Sequence, residues 1–365
     1  MHIFSHRTQK GMSLIELMVG VVIGMIGIVV IFQVLALSES RKRTTGAGSD
    51  AQITGAIALF AMERDVQQAG FGFSTSPNLG CTVNAFETVR GNFTFPLIPA
   101  QIVQGASGAP DSIAVLQGNS PAFVNTQTFT LSTLTSKTTQ ARGGLRPGDR
   151  IIATGTVGAG TACAMLEITG DANPNGITID HQPSSFSYTN AAGNTVLSRF
   201  NSVAPPAFTS GFVYNLGPAP RRNIWSISGN MLAFSEDISS GAATAISESI
   251  IDMQAEYGTD TNNDGKIANN EWSTVDPADW TKVRAIRVAI LSRSGQYEKD
   301  QITTVAPSWL GNTMPTGAAN SSFVMRNVDG TADNNPAGAN NWRNYRYRVH
   351  ETIIPLRNVI WGTAP

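Results

Sequence analysis

The chain has 365 residues, with 25 Lys and Arg against 26 Asp and Glu, for a formal net charge of −1. That balance leaves no basic footprint for nucleic acid. Charged residues are only 14%, against about a quarter in ordinary globular chains, while Gly and Pro number 35 and 18, a mix that suits a β-rich extracytoplasmic domain with long turns. No nucleophile elbow, phosphate loop, His-Glu-x-x-His or glycine-rich dinucleotide fingerprint occurs, so the sequence reads as non-enzymatic.

The first element is a basic leader, His2, His6, Arg7 and Lys10, that stops at Gly11. An apolar run follows from Met12 to Leu37, free of charge from Leu17 to Phe32, which is long enough to cross a bilayer as a helix. Glu16 interrupts it. An ionised carboxylate in hydrocarbon costs at least a few kcal/mol, so it needs a partner or a role. No Ala-x-Ala site follows Leu37, which disfavours an ordinary secretory peptide whose apolar region is removed. Gly20 and Gly24 form a small-xxx-small pair that suits close helix approach, or are simply glycines tolerated in a membrane helix.

The junction Lys10-Gly11-Met12-Ser13-Leu14-Ile15-Glu16-Leu17 resembles the signal of type IV prepilins and type II secretion pseudopilins. The resemblance implies cleavage after Gly11 by the prepilin peptidase and N-methylation of Met12. It implies that Glu16 pairs with the terminal amine of a neighbouring subunit during assembly. It also orients the leader inward and the large domain outward, a choice that Arg7 and Lys10 on one side and Arg41-Lys42-Arg43 on the other leave ambiguous. Met12 stands where the family usually has Phe.

After the span the helix is expected to run to about Ala69, with Ile53, Ile57 and Phe60 at helical spacing and Gly70 as its stop. Gly46 and Gly48 predict a kink or melted turn, since each costs a helix about 1 kcal/mol relative to Ala. The expected organisation is a leader at 1–11, a transmembrane half at 12–37, an amphipathic half at 38–70 and a β-rich domain at 71–365.

Beyond Gly70 the periodicity shortens. Strands are predicted at 111–116, after the Pro147-Gly148-Asp149 turn, and at 164–169. Residues 171–222 give few clear elements. A hairpin is expected over 223–234 around Ser228-Gly229-Asn230. Alternation at Ile251, Met253, Ala255 and Tyr257, and at Ile286, Val288 and Ile290, gives two more strands. A long polar loop is expected over 311–341 and a final strand over 345–360, with Arg346, Arg348 and Arg357 on a solvated face. Cys81 and Cys163, an even count in an exported domain, point to one disulfide, the alternative being two separate thiols. Closure of that loop stabilises by roughly 4–5 kcal/mol in the chain-entropy view.

Residues Glu63 to Phe71, the Pro147-Gly148-Asp149 turn, Tyr257-Gly258 before an acidic loop, and Pro355-Leu356-Arg357-Asn358 are similar to PilW-type minor pilins. That family implies an α+β pilin-like fold, with a long N-terminal helix packed on a large β-rich domain. It implies a minor pilin at or near the pilus tip that primes assembly. Its partners would be other minor pilins, the major pilin, the peptidase and the inner-membrane assembly platform. Its location would be the inner membrane through a single helix, then the extracellular pilus. A GspJ-class pseudopilin, or a calcium-dependent binding module on an uncleaved anchor, would carry much of the same sequence.

Residues 260–271 fit the twelve-residue EF-hand loop pattern. Asp260, Asn262 and Asp264 offer side-chain oxygens, Lys266 its carbonyl and Glu271 two carboxylate oxygens, with Gly265 at the sharp turn. Such ligands suit Ca²⁺. The flanks read as strands, so a loop set between strands is expected. The alternative is a metal-free Asn/Asp/Gly turn.

Overall fold

A computed structural model describes residues 11–121, 126–156, 162–171, 176–311 and 321–362. Helix α1 runs Leu14–Val66 without a break. No melted turn occurs at Gly46 and Gly48; both lie within continuous helix. Helical hydrogen bonds close on either side of a glycine whatever its propensity, and the positions 46 and 48 are a small fraction of a 53-residue ladder. After Val66 the chain enters turns, and Gly70 takes a left-handed φ of +80° that few other residues would hold.

The chain divides into two compact units, residues 1–50 and 51–365. In the first, the α1 side chains described from Leu14 to Leu37 are all exposed. Their length and composition suffice to cross a membrane. The second unit is β-rich and contains the last four turns of α1.

Among the described residues of that unit, strands Trp272–Ser273, Ile250–Thr259, Val283–Arg293 and Tyr347–Pro355 form an antiparallel sheet in that order. Its two long middle strands are buried on both faces. Ile286, Val288 and Ile290 meet Ala58, Met62 and Val66 of α1. Ala289 and Leu291 point the other way, to Trp309, Phe323 and Trp342. Near-continuous apolar runs in these strands follow from that two-sided burial.

A second sheet orders Thr244–Glu248, Met231–Glu236, Arg221–Ser228, Ser112–Gln117 and Ala100–Val103. The predicted hairpin is present, turning at Gly229 and Asn230 with φ of +59° and +60°, the positive angles that a two-residue hairpin turn requires. Among the described residues, a nine-stranded sheet holds most of the remaining strands, with Gly211–Gly217 at its centre and Arg150–Gly155 and then Cys163–Glu167 on one side of it.

Residues 176–222 are more ordered than the sequence suggests, while 172–175 lie outside the described residues. They contain Thr178–Asp180, Ser187–Thr189, Thr195–Leu197 and Gly211–Gly217. Three of these strands are only three residues long, too short for period-two patterning to register. The final strand ends at Pro355, and Arg357–Gly362 forms a short helix, α2, rather than more strand. Of the predicted loop 311–341, residues 312–320 lie outside the described residues; the rest holds the two-residue strand Ser321–Ser322, a single antiparallel bridge between Arg326 and Ala332, and a single turn at Gly338–Asn340.

Candidate functional site

Gly11 and Met12 precede α1 as exposed extended chain, and Ser13 caps the helix, its hydroxyl accepting from the Ile15 amide at 3.4 Å. Glu16 lies in the first turn, where a negative charge complements the helix dipole. Its carboxylate has no ion-pair partner among the described residues. The arrangement is an unneutralised acid four residues from Met12 on an otherwise apolar helix.

The end of α1 meets the β unit through a face other than the expected one. Ile53, Ile57 and Phe60 are exposed, at 54%, 53% and 69%. The buried stripe is Ala51, Gly55, Ala58, Met62 and Val66. These residues are mostly small, so the helix approaches the sheet closely. A Cβ on Gly55 would sit 2.2 Å from the His350 ring. Ser292 and Ser247 on the strands donate to the helix carbonyls of Ala51 and Thr54 at 2.8 and 2.9 Å. The four- and three-residue spacing of that small stripe was available in the sequence. Hydrophobic weight pointed instead to the larger residues beside it.

Asp65 anchors the same segment. Its carboxylate accepts from Trp225 Nε1 at 2.7 Å, Gln117 Nε2 at 2.9 Å and Asn223 Nδ2 at 3.1 Å. The three donors come from neighbouring strands of the second sheet and are themselves buried. Glu63 to Phe71 stands out as a motif in the sequence, but Asp65 as its half-buried acceptor does not.

Cys81 and Cys163 are bonded, closing the disulfide that their count suggested. The bond lies where Thr82–Glu87 pairs in parallel with Cys163–Glu167.

The acidic loop is set inside a hairpin. Its flanking strands pair directly, Tyr257 with Ser273 and Gly258 with Trp272. Asp260 is buried at 1% exposure, and its carboxylate accepts from the amides of Asp264 and Gly265, both at 3.1 Å. Asn262 Oδ1 accepts from the Asp264 amide at 3.0 Å, and Gly265 turns the chain with a φ of +78°. Lys266 is exposed, its amide donating to Asp264 Oδ1 at 2.8 Å. Glu271 folds back over the loop, accepting from the Thr261 amide at 2.9 Å and the Ala268 amide at 2.8 Å. Hydrogen bonds from the Thr261 hydroxyl and the Ala268 amide hold its carboxyl below the usual range. Arg284 stands 3.8 Å from Asp260 Oδ2. The oxygens of Asp260, Asn262 and Asp264 thus share one turn. Among the described residues, Asp260, Asp264 and Glu271 are not gathered into one cluster in this arrangement. The loop's own amides take up the carboxylate lone pairs that a cation would need. Asp279, which sits near Asp276, caps the turn at Trp280–Lys282 through the Thr281 amide at 3.0 Å, as a turn residue does.

Residues 6–32 match the family model of the prokaryotic N-terminal methylation motif. Residues 227–358 match that of PilW, the type IV pilus-assembly protein W. No curated protein and no solved structure matches the chain.

Proposed function

We propose that this PilW-type pilin is a minor subunit of the type IV pilus that helps to prime fibre assembly and takes a place at or near the tip, in the service of twitching motility and adhesion. The prepilin peptidase cuts after Gly11, and Met12 becomes the methylated terminus. The single helix holds the subunit in the inner membrane with the β unit on the periplasmic side, until the assembly platform draws it into the fibre. It acts as a structural subunit rather than an enzyme.

The observation that carries this reading is Glu16: a carboxylate without an ion-pair partner among the described residues, in the first turn of a membrane-length helix, next to the terminus that cleavage would create. In hydrocarbon such a charge is stable only when paired. The amine of a neighbouring major or minor pilin supplies the pair. The exposed Ile53, Ile57 and Phe60 support the same assembly, because they leave an apolar helix face for neighbouring helices. The size of the β unit favours the tip, since so large a head would crowd its neighbours along a shaft. A GspJ-class pseudopilin would share the signal but remain in the membrane.

Mass spectrometry of the N-terminal peptide from sheared fibres and from membranes tests this. Methylated Met12 in the fibres is expected, and Glu16→Ala should be processed yet missing from them. An intact Met1 in both fractions would overturn the reading.

The loop 260–271 we assign to Ca²⁺, with Asp260, Asn262, Asp264, the Lys266 carbonyl and Glu271 as ligands. Asn263 and Gly265 already hold the turn in left-handed conformations. Binding must draw Glu271 away from the Thr261 and Ala268 amides, which sets a modest affinity of about 10⁻⁴–10⁻³ M. Calorimetry with Ca²⁺ on the wild type and on Asp264→Ala checks it. Absence of heat in the wild type would remove the assignment.

A further inference from the structure

The Pro147-Gly148-Asp149 turn has no part in assembly as described above, yet it builds one wall of a cavity of about 460 Å³. The opposite wall is the hairpin Ser187–Thr189 and Thr195–Leu197. Turn and hairpin are fastened together: the Ala191 amide donates to the Pro147 carbonyl at 2.8 Å. Gly148, at φ +96°, lies so close that a Cβ there would stand 3.2 Å from Asn190 Cβ. The volume is that of a small-ligand site.

Its charges are unevenly engaged. Glu167 is fully occupied by neutral donors: Oε1 accepts from the Tyr188 hydroxyl at 2.7 Å, and Oε2 from the Arg199 and Phe200 amides at 2.7 and 3.0 Å. Asp149 accepts from the Arg146 amide at 3.1 Å and from Asn215 Nδ2 at 3.0 Å. Of the three lining guanidinium groups, Arg199 pairs with Glu87 at 2.6 Å, and the other two have fewer partners. Arg150 lies over the Phe200 ring at 4.4 Å and donates one long bond of 3.5 Å to the Gly148 carbonyl. It makes no salt bridge among the described residues, and neither does the exposed Arg146. A guanidinium presents five donors in a planar fork that matches a carboxylate. Two such forks without a salt bridge among the described residues, Arg146 and Arg150, line a cavity whose remaining walls include Pro147, Val196, Leu197 and Pro218.

We propose that this cavity binds a carboxylate carried on a small apolar body, with Arg150 and Arg146 holding the carboxylate and Leu197 and the prolines packing its apolar part. The chemistry is shared by a free apolar carboxylic acid and by the C-terminal residue of a polypeptide. Phosphate fits less well, because its further oxygens would face the apolar walls without donors.

The test is ligand-observed saturation-transfer NMR on the full chain in detergent, titrated with N-acetyl-leucine, N-acetyl-leucinamide and an N-acetylated tetrapeptide ending in leucine. The acid is expected to bind about tenfold or more tightly than the amide, because only the acid takes charge-assisted bonds. Arg146→Gln, at an exposed position, should remove most of that difference while leaving the circular dichroism spectrum unchanged. Arg150→Gln should do the same more strongly. A tetrapeptide that binds more tightly than the free acid assigns the polypeptide source, and equal affinities assign the small molecule. Equal signals from acid and amide, or an acid titration unaltered in Arg146→Gln, would overturn the proposal.

Discussion

Substitution of Asp65 gives the sharpest test of how α1 is held to the β unit. Asp65→Ala removes the acceptor shared by Trp225, Gln117 and Asn223. These donors are 3%, 8% and 5% exposed, so water replaces the carboxylate only in part. A hydrogen bond to a charged group contributes about 1.5–3 kcal/mol net, and a stranded buried donor costs about 1–3 kcal/mol. The three share one carboxylate and do not add independently, so the expected loss is about 3–5 kcal/mol. Asp65→Asn keeps one acceptor oxygen but turns an NH₂ toward the remaining donors, and should lose about half as much. Urea unfolding followed by tryptophan fluorescence reads both, with the midpoint of Asp65→Ala expected about 1 M lower. A loss below about 1 kcal/mol in Asp65→Ala would refute the view that this acceptor docks the helix.

Gly55→Ala should destabilise by about 1–3 kcal/mol through overpacking against His350, more than the roughly 1 kcal/mol of helix propensity it gains; a rise in melting temperature would contradict the close contact. Reduction of Cys81–Cys163 should cost roughly 4–5 kcal/mol and lower the melting temperature under dithiothreitol, with no such shift in the double serine variant. His181 is held down to about 3 by burial and by Lys137, and neither ring nitrogen has a partner. Its contribution is complete above an unfolded value near 6.5 and is lost as pH falls, by about 1.4 kcal/mol per unit. Asp252 is pushed up to about 7 by burial, so its contribution is complete at low pH and is lost as pH rises toward 7. The two slopes oppose each other between about pH 4 and 6.5. His181→Phe should therefore leave a protein that gains stability on acidification, and Asp252→Asn one that loses it steeply; parallel profiles for the two variants would exclude this. Lys137 is buried between Phe129 and Phe208 with one hydrogen bond to Ser132. Burial brings it down to about 8, so its charge opposes folding at pH 7 and less so above pH 8. Lys137→Met should be neutral or stabilising in thermal melts at pH 7, and a large loss would show that the cation is needed.

The membrane-length helix, the long sheet strands, the 228–230 turn and the cysteine pair could be read from the sequence, because each is written in local pattern: an unbroken apolar run, period-two alternation, residues suited to positive φ, an even count. The same holds for the N-terminal methylation motif over residues 6–32, which is one contiguous segment. What tertiary structure decided was which partners those patterns met. Alternation told that Ile286, Val288 and Ile290 share a face, but not that α1 covers it. Helical spacing offered two stripes on α1, and the sheet chose the small one, because Ala51, Gly55 and Ala58 permit a closer approach than Ile53, Ile57 and Phe60. Thr178–Asp180 is a strand through pairing with the distant Ser136–Thr139, the three-residue strands Ser187–Thr189 and Thr195–Leu197 pair only with each other, and α2 forms where Pro355 ends the last strand. The Asp65 acceptor and the two-arginine cavity gather residues far apart in the chain. One-dimensional pattern carries periodicity and local conformational preference, whereas burial and long-range hydrogen bonding arise only when separate segments close on one another.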